Sequence, residues 1–164
     1  MHSLAFTAES AANGVLTRDF TLGDIPGVLW SPAASPASVL PAPSAPSAPS
    51  APPASPASSA SPAPSPPRSS SWGHGGGTHK KHRAMTGRAH RLVTGSGFHV
   101  AVLDAPGHGD RPRGERDERD IAALREAQAA GAPEGPVVVP YNARLAEIAV
   151  PEYRSLLDAL LELP

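Results

Sequence analysis

Two stretches of the chain combine residue types that can do chemistry. The first, Gly73-His-Gly-Gly-Gly77, sets a histidine beside three consecutive glycines. Only glycine lets a backbone come close to a ligand and turn its N–H groups outward without a Cβ clash. His74, Gly75, Gly76 and Gly77 are therefore a candidate loop for close approach of the backbone to a ligand, although a flexible turn has the same composition. The second, Asp104-Ala-Pro-Gly-His-Gly109, follows the apolar run 98–103. That is the pattern of a buried strand delivering a loop to one edge of a parallel sheet. Asp104, Pro106, Gly107, His108 and Gly109 make up this candidate active-edge loop.

Other chemistries fit less well. A P-loop requires glycine before its lysine, and His79 precedes Lys80; a dinucleotide fingerprint counted from Gly73 and Gly75 meets Thr78 where its third glycine belongs. His74, His79 and His82 hint at a metal, and five of the seven histidines lie between His74 and His99. No carboxylate or cysteine at helical spacing completes a coordination shell, so neither a metal nor another cofactor is expected. His108 sits in the active-edge loop, where a loop histidine and a base are both open readings.

The elements that must position these loops follow from periodicity. Residues 15–22, a turn at Gly23-Asp24 and residues 25–30 read as two antiparallel strands, with Pro26 and Gly27 demoting the second to an edge. Met85, Ala89, Leu92 and Val93 form one apolar stripe, which predicts a helix over 82–94 closed by Gly95. The strand 98–103 follows at once. Charges of alternating sign from Asp110 to Asp120 read as a solvated loop entering a helix over Ile121, Leu124 and Gln128, which stops at Gly131. Val137-Val-Val139 is too short to assign. Pro151 at a first helical position, Glu152 at the positive end of the dipole, and the spacing of Tyr153, Leu156, Leu157, Leu160 and Leu161 predict a helix over 152–161 packed on a sheet.

The entry to the glycine turn is weaker. Arg68-Ser-Ser-Ser-Trp72 has one apolar residue, so the strand expected there is either absent or survives as Val39-Leu40. Thirteen of the 21 prolines fall between Pro32 and Pro67, and a Pro-Ser-Ala triplet repeats in register from Pro43 to Pro52. Such a segment cannot bury enough apolar area to offset its ordering entropy. The chain thus divides into a β-hairpin over 1–30, a disordered Pro/Ala/Ser-rich insert over 31–71 and a foldable remainder over 72–164.

A net charge of -1 argues against nucleic acid and against an anionic membrane surface. The absence of cysteine excludes disulfides and thiolate metal sites. Residues 1–15 lack the basic and apolar regions of a secretory signal, and no run of about 18 apolar residues occurs. A cytoplasmic protein is expected.

Taken in order, with one helix and one strand between them, His74-Gly-Gly-Gly77 and Asp104-Ala-Pro-Gly-His-Gly109 resemble the N-terminal portion of the α/β-hydrolase superfamily of esterases, lipases and dienelactone hydrolases. The resemblance implies an α/β fold: a partial hydrolase sheet of N-terminal strands and flanking helices, interrupted by the insert. It implies an oxyanion loop at His74, Gly75, Gly76 and Gly77, and a serine hydrolase of ester or related acyl substrates. The family's nucleophile lies in Gly-x-Ser-x-Gly, whereas the nearest string here is Thr94-Gly-Ser-Gly-Phe98, before the wrong strand. No catalytic Ser-His-Asp triad can be carried over. The expectation is a chain truncated before its nucleophile and inactive alone, with an acyl substrate only if missing strands complete it. Two alternatives stand beside it: one half of a split hydrolase, or a non-enzymatic scaffold whose proline-rich segment engages a proline-recognising partner.

Overall fold

The structure is a computed structural model that describes residues 4–33 and 68–163. Five strands, β1 (Leu4–Ala12), β2 (Val15–Leu22), β3 (Ile25–Pro32), β4 (Ser69–Trp72) and β5 (His99–Leu103), form one mixed sheet in the order β1-β2-β3-β5-β4. Three helices, α1 (Arg83–Ser96), α2 (Glu115–Ala129) and α3 (Gly135–Leu161), complete an α/β architecture. β1, β2 and β3 are an antiparallel meander, β3 pairs antiparallel with β5, and β4 pairs parallel with β5. The first turn is Asn13-Gly14, with φ of 51° and 75°, the positive pair that a tight hairpin requires.

The apolar run in β5 is buried on both faces. Val100 and Val102 join Val28, Trp30 and the Met85, Ala89 and Val93 stripe of α1. Ala101 and Leu103 join Phe20, Leu22 and Leu29 against Leu156 and Ala159 of α3. The alternation of a strand between two helical layers therefore builds the core. No helix among the described residues is long and apolar enough to cross a membrane.

Several expectations change. β1 carries no sequence signal, because its small and polar residues are mostly exposed. β3 is central, not an edge. Pro26 sits near its start, where its carbonyl still accepts from Asp104 N at 2.9 Å, and Arg111 Nη1, 3.3 Å from Asp104 O, is a donor to the carbonyl that a proline N cannot serve. Gly27 leaves room for the Phe20 ring, whose nearest carbon would lie 2.3 Å from a Cβ there.

The strand entering the glycine turn exists as β4, built from three serines and Trp72, with the register Ser69 to His99 and Trp72 to Val102. β5 is consequently paired on both sides, and β4 takes the edge. Val39-Leu40 lies outside the described residues. Both ends of the 31–71 segment belong to the sheet: Ser31 and Pro32 finish β3, and residues 69–71 open β4.

α1 ends at Gly97, not Gly95. Gly97 takes φ of 67° and its N–H meets Val93 O, while Phe98 N reaches Leu92 O. α2 starts six residues before Ile121, with Glu115, Asp117 and Glu118 in its first turn favouring the helix dipole. α3 absorbs both the unassigned Val137-Val-Val139 and the predicted helix, so Pro151 lies inside it rather than at its start. Tyr153, Leu156 and Leu160 meet the sheet, whereas Leu157 and Leu161 are exposed.

Candidate functional site

Because β4 and β5 are parallel, their carboxyl ends open at the same edge, the place where α/β sheets gather ligands. The loop after β4 carries His74, Gly75, Gly76 and Gly77. The loop after β5 carries Asp104, Pro106, Gly107, His108 and Gly109. Both contribute to one cleft of about 340 Å³, lined by Gly77, Thr78, His79, His108, Gly109, Asp110 and Arg113. Of the candidate residues, Gly77, His108 and Gly109 line it directly. His74 and Asp104 stand behind the loops and hold them.

His74 has an enclosed side chain and accepts the Ala105 N–H at Nε2, 2.9 Å away. An acceptor at Nε2 puts the proton of the neutral ring on Nδ1, which lies 3.1 Å from Gly75 O and 3.3 Å from Thr78 Oγ1. Thr78 Oγ1 in turn donates to Gly75 O at 2.7 Å. Burial holds the His74 pKa below the usual histidine value, which favours this neutral form.

No backbone or side-chain acceptor among the described residues takes the N–H of Gly75, Gly76 or Gly77. All three residues are exposed, and Gly77 adopts φ of 72°.

Asp104 is fully buried at the tip of β5. Its carboxylate accepts from Lys80 N at 2.7 Å, Lys80 Nζ at 2.6 Å and Asp110 N at 3.0 Å. Burial alone would raise its pKa, but the Lys80 ammonium and the two amides outweigh this and hold it below the usual carboxylate value. Lys80, itself buried, also reaches Asp110 Oδ2, and the two carboxylates raise its pKa against the opposing effect of burial. Gly109 explains itself sterically: it has φ of 58°, and a Cβ there would lie 2.2 Å from Asp104 Oδ1.

His108 donates from Nδ1 to Pro106 O at 2.9 Å, and its ring meets that of His74 edge-on at 5.7 Å. The carbonyl partner fixes the proton on Nδ1 and leaves Nε2 as the acceptor of a neutral ring. Around the cleft, Arg113 Nε donates to Gly107 O at 3.1 Å.

α3 braces the same edge. Tyr153 OH donates to Trp72 O at 2.6 Å and lies 3.5 Å from Leu103 O, so one hydroxyl spans the ends of β4 and β5. Burial pushes its pKa up to about 12. Arg111 meets Glu152 through two hydrogen bonds of 2.7 and 2.9 Å. Glu152 therefore serves as a partner for this arginine and not as a helix-start charge.

Lys80, Arg111, Glu152 and Tyr153 are the site-supporting residues that sequence reasoning missed. Lys80 was visible only as a failed P-loop lysine, and Arg111 only as part of a solvated charge run. Among the described residues no group of three or more histidines and carboxylates could hold a metal. His79 and His82 face each other at 6.2 Å with perpendicular rings.

No protein-family model matches the chain, and no curated protein matches it. Among solved structures, the chain is similar to a PEG-bound complex of a cold-adapted esterase from an Arctic intertidal metagenomic library. The two share 24% identity with a TM-score of 0.44, over 79% of this chain and 52% of that one. The chain thus spans about half the length of that esterase.

Proposed function

We propose that this chain carries the oxyanion-binding side of a serine hydrolase acting on esters or related acyl substrates. The observation that carries the reading is the run of three exposed glycines whose amides have no acceptor among the described residues, with Gly77 lining the cleft that the Asp104 loop also lines. Attack of a serine oxygen on an acyl carbonyl makes a tetrahedral intermediate whose oxygen becomes negative. N–H groups already turned toward that position stabilise it without reorganisation, at about 3 kcal/mol for each donor. His74 and Asp104 hold the loop from behind and do not touch substrate in this reading.

The nucleophile comes from elsewhere. No Gly-x-Ser-x-Gly string occurs in the 164 residues. Residues 4–33 and 68–163 form the hydrolase-like part, and the Pro/Ala/Ser-rich segment interrupts it as an insert. The chain alone accordingly turns over no p-nitrophenyl butyrate and takes no label from a fluorophosphonate probe. Covalent labelling would place a reactive serine within this chain and contradict that part of the reading. The anion site is tested separately by titrating the ¹⁵N-labelled chain with sodium butyrate. Amide shifts at residues 75–77 support it, and unmoved glycine amides reject it.

A further inference from the structure

We propose that Lys80 is a positioning residue that sets the glycine loop before any substrate arrives. The loop from His74 to Lys80 is pinned at its two ends to consecutive residues of the chain. At one end His74 Nε2 accepts from Ala105 N at 2.9 Å. At the other, Lys80 meets the Asp104 carboxylate twice, through its backbone N at 2.7 Å and its Nζ at 2.6 Å. The glycine amides, which have no acceptor among the described residues, lie between the two pins. The pinned points coincide with the tip of β5, so the loop is closed upon the strand end that also carries the opposite wall of the cleft.

The lysine acts on both walls at once. Its Nζ also bonds Asp110 Oδ2, and Asp110 lines the cleft. Asp110 N in turn donates to Asp104 Oδ2 at 3.0 Å, completing a ring from Lys80 through both carboxylates. A buried carboxylate needs both charge compensation and hydrogen bonds. An ordinary structural ion pair supplies the first. This one also ties the loop exit to the active-edge loop. The next residue, Lys81, bonds Asp19 Oδ2 on β2 at 2.7 Å, a more exposed contact that ties the same turn to the sheet.

The meaning of this clasp for catalysis rests on the oxyanion reading, but its existence can be measured without it. The test compares wild type, Lys80→Met, Asp104→Asn and the double variant Lys80→Met/Asp104→Asn in the full chain. Thermal unfolding, ¹⁵N relaxation at residues 75–77 and butyrate titration are read together. Lys80→Met strands a buried charge and lowers the midpoint. The double variant removes both charges and recovers part of that loss; it keeps one of the two backbone bonds to residue 104, because asparagine has a single acceptor oxygen where Lys80 N and Asp110 N each use one.

In the double variant, and not in Asp104→Asn alone, the glycine amides become mobile, their order parameters falling from about 0.85 to below about 0.6. Butyrate then no longer shifts them. Wild-type order at residues 75–77 in the double variant would overturn the proposal, because Lys80 would then be only a counter-charge for Asp104. If the wild-type glycines are ordered and lose order in the double variant, yet ignore butyrate throughout, the clasp stands and the oxyanion reading falls.

Discussion

The Nε2 of His74 and the amide of Ala105, 2.9 Å apart, join the glycine loop to the first residue beyond the buried Asp104, and only an unprotonated ring can make that bond. Burial lowers the His74 pKa, so the folded chain binds this proton less readily than the unfolded chain. The stabilisation is fully present above the unfolded value of about 6.5 and is lost as pH falls below it toward the lowered folded value. Urea unfolding between pH 7.5 and 5.5 will show stability declining with acidity. His99, also lowered by burial, acts with the same sign, so the contribution of His74 is the part of the slope that disappears in His74→Gln. An unchanged slope in that variant would assign the effect elsewhere.

Gly109 and Gly77 separate steric exclusion from backbone strain. Both have positive φ, but only Gly109 would drive a Cβ into the Asp104 carboxylate. Gly77→Ala should cost about 1–2 kcal/mol for the left-handed conformation alone. Gly109→Ala should cost clearly more in the same urea titration, because Asp104 cannot move without breaking its bonds to Lys80. Equal losses would show that the close approach is relieved at no cost.

Tyr153→Phe removes the hydroxyl that spans β4 and β5 and leaves Trp72 O without that donor. A loss of about 1–2 kcal/mol is expected from denaturant unfolding. Faster amide exchange in residues 69–72 than in residues 99–103 should accompany it, since β4 is the edge and β5 is paired on both sides. Wild-type stability in the variant would show that the hydroxyl contributes nothing.

Arg111 and Glu152 are 17% and 16% exposed and meet through two hydrogen bonds. A double-mutant cycle to alanine should give a coupling of about 1 kcal/mol, above the usual value for exposed pairs. The exposed Arg119 and Glu115, 3.7 Å apart on α2, should couple by less than about 0.5 kcal/mol.

What the sequence made legible was local. The β2–β3 hairpin, the α1 stripe, β5 and the two loops follow from turn residues and periodicity that act within about ten positions. What it hid was long-range. Pro26 and Gly27 read as edge signals until Asp104 N and the Phe20 ring are seen to use them. Three serines form β4 because a parallel neighbour supplies the hydrogen bonds that their side chains do not advertise. Val137-Val-Val139 and two prolines conceal one helix of 27 residues. At the site, the glycines and Asp104 carried a motif, whereas the partners of Asp104 and Trp72, Lys80 and Tyr153, lie 24 and 81 positions away and have no motif of their own.

On the proposed reading, the amides of residues 75–77 are preset to receive a negatively charged oxygen. The most direct test of this reading records ¹H–¹⁵N spectra of the full chain during titration with sodium butyrate and, in parallel, with neutral butyramide at the same ionic strength. Saturable shifts concentrated at Gly75, Gly76 and Gly77 are expected with butyrate, and much smaller ones with butyramide. Identical responses to the two ligands, or shifts spread over the surface without the glycines, would contradict it.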